Sequence, residues 1–160
     1  MEMKKIMLIL ALLVLGQTAL ARTGDDVVNE FRDEKHAEYV NIGPAMFQMA
    51  KIFGQGLPES AQHLTSVRVL DLSDCSSGAR KKFEKRCKDL RDNGDYEELA
   101  VASRDASRST VLVRSRDGIV TELVIFQAGG HKESIAVIRG QIPLSEVSEI
   151  AGDPSYDPIE

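Results

Sequence analysis

The sequence predicts an α+β fold: a mixed, largely antiparallel sheet of about six strands that includes a C-terminal four-strand meander, with helices packed mainly on one face. Three observations carry this prediction. Helical and strand patterns interleave in the first half of the chain. From Tyr96 to Ile142 strand patterns follow one another without a helix between them. The connections among those last strands are short, which forces neighbours to run antiparallel.

Taken in order, the elements justify that reading. Asp25 and Asp26 precede VVNEFRDEKH, where Val27, Val28 and Phe31 recur at helical spacing and the acidic start suits the positive end of the helix dipole. EYVNI, residues 38–42, reads as a strand. Gly43-Pro44 then breaks it and supplies a proline for the first turn of a second helix. That helix, AMFQMAKIF, sets Met46, Met49, Ala50 and Phe53 on one face, a pattern expected of flexible core filler. Gly54 and Gly56 end it, and a polar connection through Pro58 leads to the strand SVRVLDL.

Next comes LDLSDCSSGARKKFEKRC, residues 70–87, where a strand gives way to a polar turn and a basic helix. Ala79, Phe83, Cys87 and Leu90 form one apolar stripe on it. Arg80, Lys81, Lys85, Lys88 and Arg91 fall on the other side, where a solvated helix face places its charges. The meander then reads YEELAVAS, STVLVRSR, VTELVIFQ and ESIAVIRGQI, joined by RDASR, RDG and AGGHK, with Asp117-Gly118 a strong hairpin signal. Pro143 opens a last short helix carrying Leu144, Val147 and Ile150, and Gly152 stops it.

The N-terminus has a different logic. MEMKKIMLILALLVLGQTALA places Lys4 and Lys5 before an apolar run and ends on Ala19-Leu20-Ala21, the order of a secretory signal peptide over residues 1–21. The run is about ten residues long, short of the roughly 20 needed to span a bilayer, so no stable transmembrane anchor is expected. Cleavage near Ala21 would send a periplasmic or secreted product out of the cytoplasm. It would comprise one α+β domain over residues 22–152 and a loose acidic tail, DPSYDPIE, at 153–160. That product carries 18 Lys+Arg against 24 Asp+Glu, a formal charge of −6. An acidic exported protein is a poor nucleic-acid binder, because a phosphate backbone demands a basic footprint.

Candidate chemistry centres on residues 71–78. A strand feeding a polar turn and a helix start can hold an anion, with Ser76, Ser77, Gly78 and Arg80 as the binding residues. The competing assignment is capping, in which Asp74, Ser76 or Ser77 satisfies an orphan N–H of the helix, and the glycine spacing of a nucleotide-binding loop is missing. A calcium loop starting at Asp71 fails, since Ser76 stands where glycine belongs and Lys82 where the bidentate Glu belongs. An oxidising compartment raises a disulfide between Cys75 and Cys87. Geometry resists it: Cys87 lies roughly 13 Å along the helix from residue 78, whereas bridged Cα atoms stand within about 7 Å.

The histidines His36, His63 and His131 show no metal-ligand spacing, and His36 with Glu38 makes a surface pair. No serine elbow or acid/base pair emerges. No catalytic residue, metal or cofactor is therefore assigned.

Three stretches, EYVNIGPAMFQMAK, NGDYEELAVAS and LVIFQAGGHKESIAVIRGQIPLSEVSEI, give the chain a resemblance to a family of small exported bacterial proteins known as domain of unknown function four-two-five-two. The resemblance runs from about Tyr39 to Ile150. It implies an α+β domain behind an export signal and brings no activity, cofactor or catalytic residue with it. Members are often thought to be lipoproteins; no lipidation cysteine stands near Ala21 here, the first cysteine being Cys75.

The expectation is a noncatalytic interaction or ligand-binding module, engaging an envelope or secreted protein or a small ligand through an exposed sheet face or hairpin tips. Two alternatives stand beside it: an enzyme of unrecognised type with an anion-binding loop at 71–78, and a component of envelope stress signalling.

Overall fold

The computed structural model describes residues 23–52, 59–93, 95–147 and 150. The predicted leader, the connection through Gly54, Gly56 and Pro58, the stop at Gly152 and the acidic tail lie outside the described residues.

The elements follow the predicted order: α1 (Gly24–Phe31), β1 (Glu38–Ile42), α2 (Pro44–Ile52), β2 (Leu64–Asp71), α3 (Ser77–Asn93), β3 (Glu97–Arg104), β4 (Ser107–Arg116), β5 (Ile119–Ala128) and β6 (Ser134–Pro143). Short 3-10 turns stand at Glu59–Ala61 and Leu144–Glu146. The α+β fold class holds. The strands form one six-stranded sheet in the order β1-β2-β6-β5-β4-β3. All five pairings are antiparallel, so the mixed component expected from the sequence is not present among them. β2 enters the meander beside β6 by a crossover through α3, and that connection is long enough to permit either direction.

α1 starts on a capping box that the acidic pattern alone did not reveal. Thr23 Oγ1 accepts a hydrogen bond from Asp26 N at 3.2 Å, and Asp26 Oδ2 accepts one from Thr23 N at 3.0 Å. Its buried stripe of Val27, Val28 and Phe31 meets the α3 stripe of Ala79, Phe83, Cys87 and Leu90 on one sheet face, over Leu70, Leu112, Val124, Ile135 and Val137. Each large apolar side chain buried there contributes about 1.5–3 kcal/mol. Phe31 and Phe83 add an edge-to-face contact, with centroids 5.6 Å apart and planes at 87°.

α2 lies on the opposite face and reverses one sequence expectation. Its buried residue is Phe47, while Met46 and Met49 are 54% and 53% exposed, so the methionine stripe faces outward instead of filling the core. Phe47 joins Leu64, Val113, Val120, Leu123, Ile138, Ile142 and Val147 in a second buried cluster. The sheet is therefore two-sided, and its second face is not left wholly to solvent. Beside that cluster the register sets Val40, Val69, Ala136, Ile125 and Val111 in a row across five strands. None of the five is buried.

Three close approaches require glycine among the described residues, at Gly24, Gly129 and Gly140. A Cβ on Gly140 would lie 2.1 Å from the His63 carbonyl oxygen, where β6 passes the start of β2, and one on Gly24 would lie 2.8 Å from a Val137 methyl. The β4–β5 hairpin turns on Asp117 and Gly118, both at positive φ, as the Asp-Gly pair predicts.

Candidate functional site

The predicted anion loop sits where β2 leaves the sheet and α3 begins, and most of its polar groups are occupied by architecture. Ser73 N donates to Asp71 Oδ1 at 2.7 Å, and Ser76 Oγ accepts from Ala79 N at 3.2 Å, the N-cap role that competed with anion binding. Ser77 and Gly78 are exposed in the first turn of α3. Arg80 turns back to donate to His131 Nδ1 and lies 3.6 Å from Glu133 Oε2, a carboxylate only 2% exposed. The loop thus brings Ser76, Ser77 and Gly78 to one helix end, while the guanidinium of Arg80 serves a buried acid.

Both cysteines are free thiols in the buried cluster beneath this loop, with no bridge between them. Burial pushes the Cys87 thiol well above its ordinary value, and burial with nearby carboxylates raises that of Cys75. Neither thiol has the electropositive, exposed surroundings of a reactive cysteine. Among the described residues, no group of three or more His, Cys, Asp or Glu side chains could hold a metal ion.

At the opposite end of the helix-covered face lies a polar cluster that no sequence motif announced. Asp25, in the first turn of α1, pairs with Arg68 Nη1 at 2.6 Å and with Arg139 Nη2. Arg139 also donates to Glu122 Oε2 from Nε and Nη2, each at 3.2 Å. Tyr96 OH donates to Glu122 Oε1 and accepts from Gly24 N at 3.0 Å. Arg68 completes the set through Tyr39 OH at 2.9 Å and Asn29 Oδ1 at 2.7 Å. Burial, then the Glu122 contact, drives the Tyr96 hydroxyl pKa far upward, so the phenol stays protonated. The cluster clamps the N-terminus of α1 onto β2, β5 and β6. Its carboxylates and guanidiniums are committed to one another.

One site on this face is built differently. α3 carries cations on every side except its buried stripe, and its neighbours sort them. Lys82 and Arg86 turn toward α1 and meet Glu30 at 3.2 and 3.0 Å. Arg91 reaches Asp92 at 2.9 Å. Lys81, Lys85 and Lys88, at i, i+4 and i+7, point the other way, over β4 and β5. There, with Glu84 and Arg91, they wall a groove of about 600 Å³, within the usual range for small-ligand sites. Arg108 of β4 faces them, and Thr110, Phe126, Ala128 and Gly129 line the remainder. Lys81, Lys85, Lys88 and Arg108 make no ion pair among the described residues.

The groove also holds a polar group with nothing to bind. Thr110 is 0% exposed and its Oγ1 has no hydrogen-bond partner among the described residues. It belongs to a register row running Tyr39, Leu70, Ile135, Phe126, Thr110, Val101 across the six strands, and it is the row's one aliphatic hydroxyl. Leaving such a hydroxyl buried and unpaired costs about 1–3 kcal/mol.

Sequence reasoning placed Lys81, Lys85, Lys88 and Arg91 on one helix face but could not say what faced them. The usable signal was the alternation of β4, which sends Arg108, Thr110 and Leu112 to one side. No curated protein and no solved structure matches the chain. A family model does match, over residues 31–150, which takes in all six strands with α2 and α3, and by it the chain belongs to the family described as Domain of unknown function (DUF4252).

Proposed function

We propose that the protein is a noncatalytic binding module that holds an anionic ligand in the groove between α3 and β4–β5. The observation that carries this reading is the meeting of four cations with the buried hydroxyl of Thr110, none of the five having an ion-pair or hydrogen-bond partner among the described residues. Cations facing one concave site focus a positive potential there, on a chain whose formal net charge is −5. The anion-binding role expected of Ser76, Ser77, Gly78 and Arg80 is thereby moved further along the same helix, to Lys81 and the cations that follow it.

Two further features support a binding role over a catalytic one. The ionisable groups of the Asp25–Glu122 cluster are saturated by each other, and the two thiols are buried in an apolar cluster. The reading includes export: cleavage near Ala21, a single domain over 22–152, and action in the periplasm or medium. No helix among the described residues is long and apolar enough to cross a membrane.

Isothermal titration with citrate, a compact trianion, tests the reading. Saturable binding is expected, weakened by raising salt and reduced about tenfold or more by the triple variant K81E/K85E/K88E. Equal heats for the parent and variant proteins would refute it.

A further inference from the structure

The shape of the groove narrows the ligand class, given the anion-binding reading above. From Lys81 to Arg91 the cationic wall extends about 15 Å along α3, at a rise of about 1.5 Å per residue. One phosphate or carboxylate occupies a fraction of that length. A row of this kind is matched by a linear ligand carrying several negative groups, and four or five residues of extended peptide, at about 3.3 Å each, cover the same distance.

The spacing agrees. Lys81, Lys85 and Lys88 step along the helix by about 6.0 and 4.5 Å. An extended peptide presents a side chain on the same side about every 6.6 Å, and the flexible four-carbon stem of lysine absorbs the difference. Side chains at the alternate positions of such a peptide point away from α3. In that direction the row Phe126, Thr110, Val101 runs outward across β5, β4 and β3, and Val101 is 38% exposed where the sheet emerges from beneath the helix. The surface is therefore basic on the helix side and, apart from Arg108, mainly apolar on the sheet side, where the Thr110 hydroxyl has no hydrogen-bond partner among the described residues.

Charge and shape also separate this ligand from its rivals. A bilayer presents its headgroups in a plane, which reaches the rim lysines but not the recessed Thr110 and Phe126. A nucleic acid brings dense negative charge toward a chain whose formal net charge is −5.

We propose that the groove receives an extended segment of a partner protein in which acidic residues alternate with apolar ones, the carboxylates lying along Lys81, Lys85 and Lys88. The test is fluorescence anisotropy of the purified protein with three labelled octapeptides: four Glu-Val repeats, the block permutation with four Glu followed by four Val, and four Gln-Val repeats. The alternating acidic peptide should bind about tenfold tighter than either control. K81E/K85E/K88E should remove that advantage. T110V, which keeps the side-chain shape, should weaken the alternating peptide severalfold while the far-ultraviolet circular dichroism stays unchanged.

Equal binding of the alternating and block peptides overturns the alternating-segment proposal. So does stronger binding to vesicles of phosphatidylglycerol and phosphatidylcholine than to any peptide, which would assign the groove to a membrane surface. Citrate separates the two levels of the claim. If citrate binds the parent and not the triple variant while the peptides show no preference, the groove takes anions and the peptide assignment is wrong. If neither citrate nor peptide distinguishes parent from variant, both fall.

Discussion

Thr110 holds a buried hydroxyl with no hydrogen-bond partner among the described residues, which the proposed ligand would supply. Valine has the same shape and no such debt, so T110V should raise stability by about 1 kcal/mol, seen as a higher urea midpoint with an unchanged slope. The same substitution should weaken citrate binding. A loss of stability would mean that the hydroxyl is already satisfied in the free protein, and the groove would lose half of its support.

Tyr96 is the residue whose titration is easiest to read. Its hydroxyl pKa is raised in the folded protein, so it stabilises fully below the unfolded value near 10 and the contribution fades as pH rises above that value. Y96F removes the hydroxyl that joins Gly24 N to Glu122 and should cost about 2 kcal/mol at pH 8. Between pH 9.5 and 11 the urea midpoint of the parent should fall more steeply than that of Y96F. Cys87, also raised, contributes a loss of the same sign in both proteins and cancels in the comparison. Parallel pH curves would remove the phenol from the clamp.

At the scale of elements, the packing of α3 decides the state of the thiols. Cys87 is 0% exposed and Cys75 7% exposed, in the same cluster as Phe83 and Leu90. Alkylation without reductant should therefore label neither thiol in the folded protein and both after denaturation. A chain that stays unlabelled in denaturant would carry a bridge. The pairing of β2 with β6 depends in the same way on Gly140, where any side chain would strike the His63 carbonyl. G140A should destabilise by about 1–3 kcal/mol, measured by thermal unfolding, because backbone and not a flexible side chain must give way.

Elements were legible where pattern and packing agree. β1 occupies the predicted residues 38–42, and the stripe Ala79, Phe83, Cys87, Leu90 is buried as its spacing requires. The exception is α2, where periodicity grouped Met46 and Met49 while the sheet it packs against selected Phe47. A helix lying on a sheet by one aromatic residue does not have to bury its longest apolar stripe. The clamp was illegible for a different reason. Gly24 and Tyr96 stand 72 positions apart, and Arg68 and Asp25 43 apart, so no local window contains both halves of any of its bonds.

For the whole molecule, the organising fact is how charge is distributed over a sheet that carries helices on both faces. Acidic residues outnumber basic ones, yet α3 divides its cations between Glu30 on one side and an open groove on the other. The sequence showed that the cations existed and shared a helix face. It could not show that one flank meets α1 while the other meets Arg108 and Thr110, because that depends on β4 and β5 passing beneath the helix. A solvated face and a binding wall look alike until the opposing surface is known. The distinction bears on the proposed function, since a solvated face contributes little specificity whereas a walled groove of the kind proposed would select a ligand by spacing as well as by charge.

Anion binding between α3 and β4–β5 can be seen residue by residue in a map of amide chemical shifts as citrate is added to the purified protein. Saturating shifts are expected along residues 81–91 of α3 and at Arg108, Thr110 and Phe126, with residues 76–78 and the Tyr96–Glu122 cluster still. Shifts concentrated at residues 76–78, or scattered over every exposed lysine without saturation, would contradict it.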